Sequence, residues 1–233
     1  MVGKGTLFDL LLTMHDELWR KIVTVHNYNK TFFIWCEENG IGLKTFLQPN
    51  NELKNAWEHV VRAKARELGI TKEADPDYIK LSLTDALKHE CRAFYDICDW
   101  LSWTLRKQFQ DNLLPYDHET IIAVIPNYFQ EIRPRFDEIV GEIARLRATK
   151  DAEAGEIMTH IEEHKTTLEK LIKDVQHISH AVGALAEFKM KKESAASKKE
   201  KRELNAVIIA AIVGAIFGSG LTVLGEWLLF GNK

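Results

Sequence analysis

Twenty consecutive residues without a charge, Ala206 to Gly225, constrain this chain more than any other feature. At about 1.5 Å of rise per residue they make a helix of roughly 30 Å, the thickness of a bilayer's hydrocarbon core. Lys201, Arg202 and Glu203 precede the run, and Glu226, Trp227 and Leu228-Leu229-Phe230 follow it. A fully buried helix of a soluble fold is the competing reading, and the adjoining basic block argues against it. The sequence therefore predicts a single C-terminal transmembrane helix over 204–230. Glu226 is expected at the far interface beside Trp227, where aromatic rings favour the headgroup level.

Charge sets the expected orientation. Residues 189–203 hold seven basic side chains against three glutamates. Basic juxtamembrane segments stay on the cytoplasmic side, which places the N-terminal bulk in the cytoplasm and the protein in the inner membrane as a single-pass chain. Within that block Lys198, Lys199, Lys201 and Arg202 are the candidates for contact with lipid headgroups, each attracted to anionic lipid by roughly 1 kcal/mol. No secretory signal peptide is read at the N-terminus, because Leu7 to Leu12 is short and broken by Asp9.

The anchor is patterned inside. Ala206, Ala210, Gly214, Gly218 and Thr222 recur every four residues. Small residues at that spacing let two helix backbones approach closely, so this row is the expected packing face of a self-associating membrane helix.

The preceding part of the chain has the hydrophobic period of helices throughout, with no sustained two-residue alternation. Leu7, Leu11, Met14, Leu18, Ile22 and Val25 mark one long helix over 6–38. A second starts after Pro49-Asn50-Asn51, carries Leu53, Trp57, Val60, Val61 and Leu68 on its inner face, and closes at Gly69. A third starts at Asp75-Pro76 and runs its apolar face from Ile79 to Phe109. A fourth begins near Asp117, with a break expected near Pro126 and a kink at Pro134. The fold class is all-α, an antiparallel helical bundle over 1–150. Hydrophobic content of 45%, 28% charged residues and a net charge of −3 suit a globular domain and give no global nucleic-acid signature. Cys36, Cys91 and Cys98 have no zinc or redox spacing and are read as reduced, buried thiols.

From Ala154 onward the pattern changes to heptads. Ile157, Ile161, His164, Leu168, Leu171, Val175, Ile178, Val182 and Leu185 fall on seam positions, which predicts a long coiled-coil-like helix, a stalk over 151–188. Such a stripe needs a partner. Either a second copy supplies it, making a homo-oligomer, or the helix packs back on its own bundle. Residues 189–203, a basic juxtamembrane segment free of proline and glycine, would join it to the membrane helix.

Candidate chemistry is sparse. Asp85, His89, Arg92, Asp96 and Asp99 share a helix face, a pattern that suits a solvated ion-pair ladder better than a metal or proton-transfer site. Glu156, His160 and His164 stand four residues apart without a zinc-protease signature, and His164 at a seam position reads as a register-fixing polar residue. Tyr95, Trp100 and Trp103 could stack a base, although aromatics on a long helix mostly serve the core. No cofactor and no metal are expected.

The segment Asn51-Glu-Leu-Lys-Asn-Ala-Trp-Glu-His-Val-Val-Arg-Ala63, followed by Lys88-His-Glu-Cys-Arg-Ala-Phe-Tyr-Asp96, resembles helical domains of the HEPN type over residues 1–148. The resemblance implies a dimerising helical bundle, often a ribonuclease, and often part of a toxin or anti-phage system. Its arginine-to-histidine spacing is met by Arg20 and His26, which the resemblance makes the alternative catalytic residues, with nucleic acid as the partner. Glu52 and His59 would then pair helices.

Three functions are thus in view. The leading one is a self-associating, membrane-anchored signalling or effector protein, in a prokaryotic defence or stress setting, with no enzyme activity and the bilayer as its partner. The others are a membrane-tethered HEPN-like ribonuclease and a scaffold that recruits a cytosolic protein partner.

Overall fold

The computed structural model describes residues 4–38, 47–72, 75, 77–148 and 156–230, with side chains between residues 15 and 215 of those ranges. The described residues are helical, with no strand among them. The helices are α1 (Lys4–Glu38), α2 (Leu47–Glu67), α3 (Tyr78–Leu113), α4 (His118–Val124), α5 (Arg133–Ala148) and α6 (Ile157–Phe230), with a short π-helical segment at Tyr128–Ile132. They form two compact units. The first contains residues up to 115 together with 127–180, and the second contains 116–126 together with 181–233.

The first unit is built around α3, whose Leu83, Phe94, Ile97, Cys98, Leu101, Leu105 and Phe109 are fully enclosed. Contacts along its length fix the directions of its neighbours. Gln48 and Glu52 lie beside Lys88, Arg92, Tyr95 and Asp96, whereas His59 lies near Asp85, so α2 runs back along α3. On α1, Asn29 meets Glu90 and Phe32 meets Phe94, so α1 runs parallel to α3. Phe136 stacks on Phe109 at 3.8 Å and Arg147 pairs with Asp99 at 2.7 Å, which makes α5 antiparallel. His164 lies against Phe94, and Asn112 donates to Ser179, so α6 is parallel again. Consecutive long helices alternate in direction, as short connections favour.

The heptad stripe finds its partner inside this unit. Ile161, His164, Leu168, Leu171, Val175 and Ile178 are buried against the chain's own helices. Of the two partners left open for that stripe, the chain's own bundle is therefore the one observed. Residues 157–180 of α6 lie in the first unit with the bundle helices, and the division between the two units within α6 falls after residue 180. The seam position Ala154 lies outside the described residues.

Helix ends follow local chemistry. Gly69 adopts φ +69°, its N–H bonds Arg66 O at 3.0 Å and the Ile70 N–H bonds Ala65 O at 2.9 Å, a Schellman closure of α2 as the glycine predicts. Asp117 caps α4 by accepting from the Thr120 N–H at 2.8 Å. The chain breaks at Ile125-Pro126 as expected. Ahead of Pro134 the helix widens into the π segment, where Arg133 N bonds Tyr128 O. A proline supplies no N–H to the α-helical ladder, and the wider turn absorbs the missing bond.

Two starts differ from the sequence expectation. α2 begins at Leu47, so Pro49 falls within the first turn, where its missing N–H has no intrahelical role. α3 begins at Tyr78, after an Asx turn in which the Asp75 carboxylate accepts from the Asp77 N–H at 2.8 Å.

The facing of α2 also needs correction. The side chains it buries are Pro49, Ala56 and Ala63, while Trp57, Val61 and Leu68 are 65%, 46% and 63% exposed. Small residues allow a close approach of α2 to α3, and the larger apolar row turns outward.

In the second unit α4 buries Thr120 and Ile121, and α6 buries Leu185. The Tyr116 hydroxyl donates to Val182 O at 3.5 Å. Lys192 bridges the carboxylates of Asp117 at 2.7 Å and Glu119 at 2.6 Å.

Candidate functional site

The outer part of α6 departs from globular rules. From Glu193 to Ala215 every residue is exposed. The helix persists there without tertiary cover because no proline or glycine interrupts 190–213 and because lysine–glutamate pairs stand at helical spacing. Lys191 meets Glu187 at 2.6 Å, Lys199 meets Glu203 at 3.8 Å and Lys189 meets Glu193 at 3.9 Å. Each such pair contributes a few tenths of a kcal/mol. Lys198, Lys199, Lys201 and Arg202 are all exposed.

Beyond this collar the exposed surface turns apolar. Val207, Ile208, Ile209, Ile212 and Val213 are between 46% and 65% exposed. At roughly 100° per residue, these five cover most of the helix circumference. Ala206, Ala210 and Gly214 of the small-residue row are exposed here too, and a Cβ added at Gly214 would meet nothing within 4 Å. Gly218 and Thr222, the remainder of that row, lie outside the described side chains. Among the described residues no helix is long and apolar enough to cross a membrane. Described side chains stop at Ala215, ten residues into the uncharged run.

The alternative catalytic residues are not brought together. Six residues apart on α1, Arg20 and His26 are separated by about 9 Å of rise and roughly 120° of rotation. Arg20 is exposed. His26 Nδ1 lies 2.9 Å from Glu90 Oε1 on α3. The same buried carboxylate accepts from Asn29 Nδ2 at 2.9 Å, and Asn29 also donates to Glu90 O at 3.1 Å. This knot ties α1 to α3 through His26 Nδ1, while the His26 side chain stays 55% exposed.

A second histidine–carboxylate arrangement ties α2 to α3. His89 Nδ1 lies 2.6 Å from Glu52 Oε2, and the His59 ring stacks on His89 at 5.3 Å between centroids. Burial lowers the pKa of His59, with nearby Asp85 opposing. Lys88, bonded to Asp85 at 2.9 Å, holds that carboxyl below its ordinary range. Beside them is a half-open groove of about 400 Å³ lined by Glu52, Lys88, Arg92, Asp96 and Tyr95. Its charges are of both signs, so it selects neither an anion nor a cation by field alone. The expected ladder along α3 is thus redirected: His89 and Asp99 find partners on other helices, Glu52 and Arg147. Among the described residues no cluster of three histidine, cysteine or carboxylate side chains could hold a metal.

His164 is enclosed between the rings of Phe94 and Tyr95, at 6.1 and 5.8 Å, and neither ring nitrogen has a hydrogen-bond partner among the described residues. Burial lowers its pKa. Glu156, expected beside it in a cluster, meets only His160 among the two histidines, at 3.6 Å. Tyr95 is in the core, whereas Trp103 is 56% exposed. The three cysteines are free and buried. Burial pushes the thiols of Cys36 and Cys91 up to about 12 and raises Cys98 as well, so none is an activated nucleophile.

Sequence reasoning missed Glu90 as the centre of the α1–α3 knot. The signal was a carboxylate inside an apolar face, adjoining Leu87 and Cys91, where an unpaired charge would be too costly to keep. Comparison with known proteins gives no match: no protein-family model, no curated protein and no solved structure is similar to this chain.

Proposed function

We propose that the chain is a C-terminally membrane-anchored, self-associating helical protein of the signalling or effector type, acting at the inner membrane with its bundle on the cytoplasmic side. The observation that carries this reading is the exposure of Val207 to Val213 around most of a helix circumference, immediately beyond a basic collar. A helix that is apolar on all sides needs an apolar surround, and the described residues of its own chain supply none here. The uncharged run continues in sequence to Gly225, which brings it to bilayer length. Lys198, Lys199, Lys201 and Arg202 would then meet anionic headgroups, while Ala206, Ala210, Gly214, Gly218 and Thr222 would form the close-packing face between anchors.

Fractionation tests the anchor. The intact chain should pellet with membranes after alkaline carbonate washing and be released by detergent, whereas a chain ending at residue 203 should remain in the supernatant. Equal partitioning of the two would end the proposal. Dye leakage from vesicles of anionic lipid would show whether the assembled anchors perturb the bilayer; leakage abolished by Gly214→Leu would tie that effect to the packing face.

A further inference from the structure

α2 presents an outward row that the described residues leave uncovered. Trp57, Val61 and Leu68 are all exposed, and they fall within roughly 40° of one line along the helix. Leu53, half-buried, extends the row toward the N-terminal end. Isolated exposed hydrophobics are ordinary, but a tryptophan-centred row on a helix that buries only Pro49, Ala56 and Ala63 is a surface shaped for contact. Along one edge of the row stand Lys54, Glu58 and Arg62, with Arg62 Nη2 3.6 Å from Glu58 Oε2.

We infer that this face of α2 is a two-fold interface between two copies of the chain, formed by antiparallel pairing of the two α2 helices. The charged edge sets the register. With the two-fold axis at residue 60, Trp57 falls between the levels of the partner's Val61 and Lys64, and Leu53 lies within one residue's rise of the partner's Leu68. The same register sets Glu58 against the partner's Arg62, and Arg62 against the partner's Glu58. In antiparallel helix pairs like edges face each other, so one edge carrying both signs in this order is self-complementary. A shift of one turn would set like charges together.

The area suffices. Trp57, Val61 and Leu68 expose on the order of 400 Å², and the stems of Lys54, Glu58, Arg62 and Lys64 bring the face to roughly 600 Å² per partner, the lower end of specific interfaces. The contact extends the self-association proposed above from the anchor to the bundle, and it stands whether or not the anchor is correct.

The test uses the full-length chain in mild detergent. A cysteine at Val61, next to the axis, should be joined to its own copy by a short bis-maleimide. A cysteine at the equally exposed Val23 of α1, and the parent chain with its three buried cysteines, should give at least tenfold less dimer. In the Val61→Cys background Glu58→Arg alone and Arg62→Glu alone should each reduce dimer at least tenfold. Mixing the two variants should restore it, because each chain then meets the opposite charge on its partner, although the pair within each α2 is broken. Failure of Val61→Cys to crosslink above the Val23→Cys level, or failure of the mixture to recover, overturns the interface even if the chain pellets with membranes. A concentration-independent blue shift of tryptophan emission on adding vesicles, lost in Trp57→Ala and unaccompanied by crosslinking, would assign the face to lipid and overturn it equally.

Discussion

Replacing His164 by leucine should stabilise the protein. The imidazole has no exposed surface, lies between two aromatic rings and has no partner for either nitrogen among the described residues. An unsatisfied buried polar group costs about 1–3 kcal/mol relative to an apolar one of the same shape. Leucine fills a similar volume but gives up the ring's edge contacts, worth about 0.5 kcal/mol or more. The net gain should be about 1–2 kcal/mol, which for a chain of this size raises Tm by roughly 2–8 °C. The pH dependence supplies an independent reading. Burial lowers the histidine's pKa, Asp99 on α3 opposes that shift and Arg147 on α5 adds to it. The folded state therefore binds fewer protons than the unfolded chain, whose histidine titrates near 6.5. Its contribution to stability is complete above about pH 6.5 and is lost as pH falls below it. Denaturant unfolding followed by far-UV circular dichroism at about pH 7.5 and about pH 5.5 separates the two effects. The native chain should lose more stability on acidification than His164→Leu does. A variant that is less stable at the higher pH, or one with an unchanged acid dependence, would show that the ring is neither unpartnered nor held neutral by its surroundings.

Three further outcomes follow from particular contacts. Gly69→Ala should cost about 1 kcal/mol in thermal or denaturant unfolding, because φ is +69° and a Cβ there suffers backbone strain without any clash. Arg135→Ala should destabilise by about 1–2 kcal/mol, since it strands the buried Asp174 carboxylate that accepts from Arg135 Nε at 3.1 Å, whereas Lys107→Ala, breaking the exposed pair with Asp111, should stay within about 0.5 kcal/mol. Asp117→Ala should speed amide exchange at Thr120 and Ile121. Bonds from Lys192 and Thr120 hold the Asp117 carboxyl well below its usual range, so in the native chain the same amides should lose protection only as pH falls below about 4.

Period and punctuation made most of the architecture legible. The apolar face of α3 from Leu83 to Phe109, the closure at Gly69, the cap at Asp117 and the break at Pro126 all follow from residue chemistry within a few positions of each feature. Facing was harder to read. α2 carries two candidate inner faces, a row of large apolar residues and a row containing Ala56 and Ala63, and hydrophobicity alone favours the wrong one. Only the need for close approach to the already crowded α3 selects alanine. The heptads of α6 posed a related problem, since a stripe of Ile161, Leu168, Val175 and Ile178 specifies that a partner exists but not which chain provides it. The histidine–carboxylate pairs, Glu90 with His26 and Glu52 with His89, join residues 64 and 37 positions apart, and no local pattern connects them.

The central claim is that the run beginning at Ala206 lies in lipid, and a spin label reports that directly. A label on a cysteine at Ile212, in chain reconstituted into vesicles, should be relaxed strongly by oxygen and weakly by a water-soluble nickel chelate, with the order reversed for a label at Lys198. Equal access of the chelate to both positions would contradict the membrane assignment.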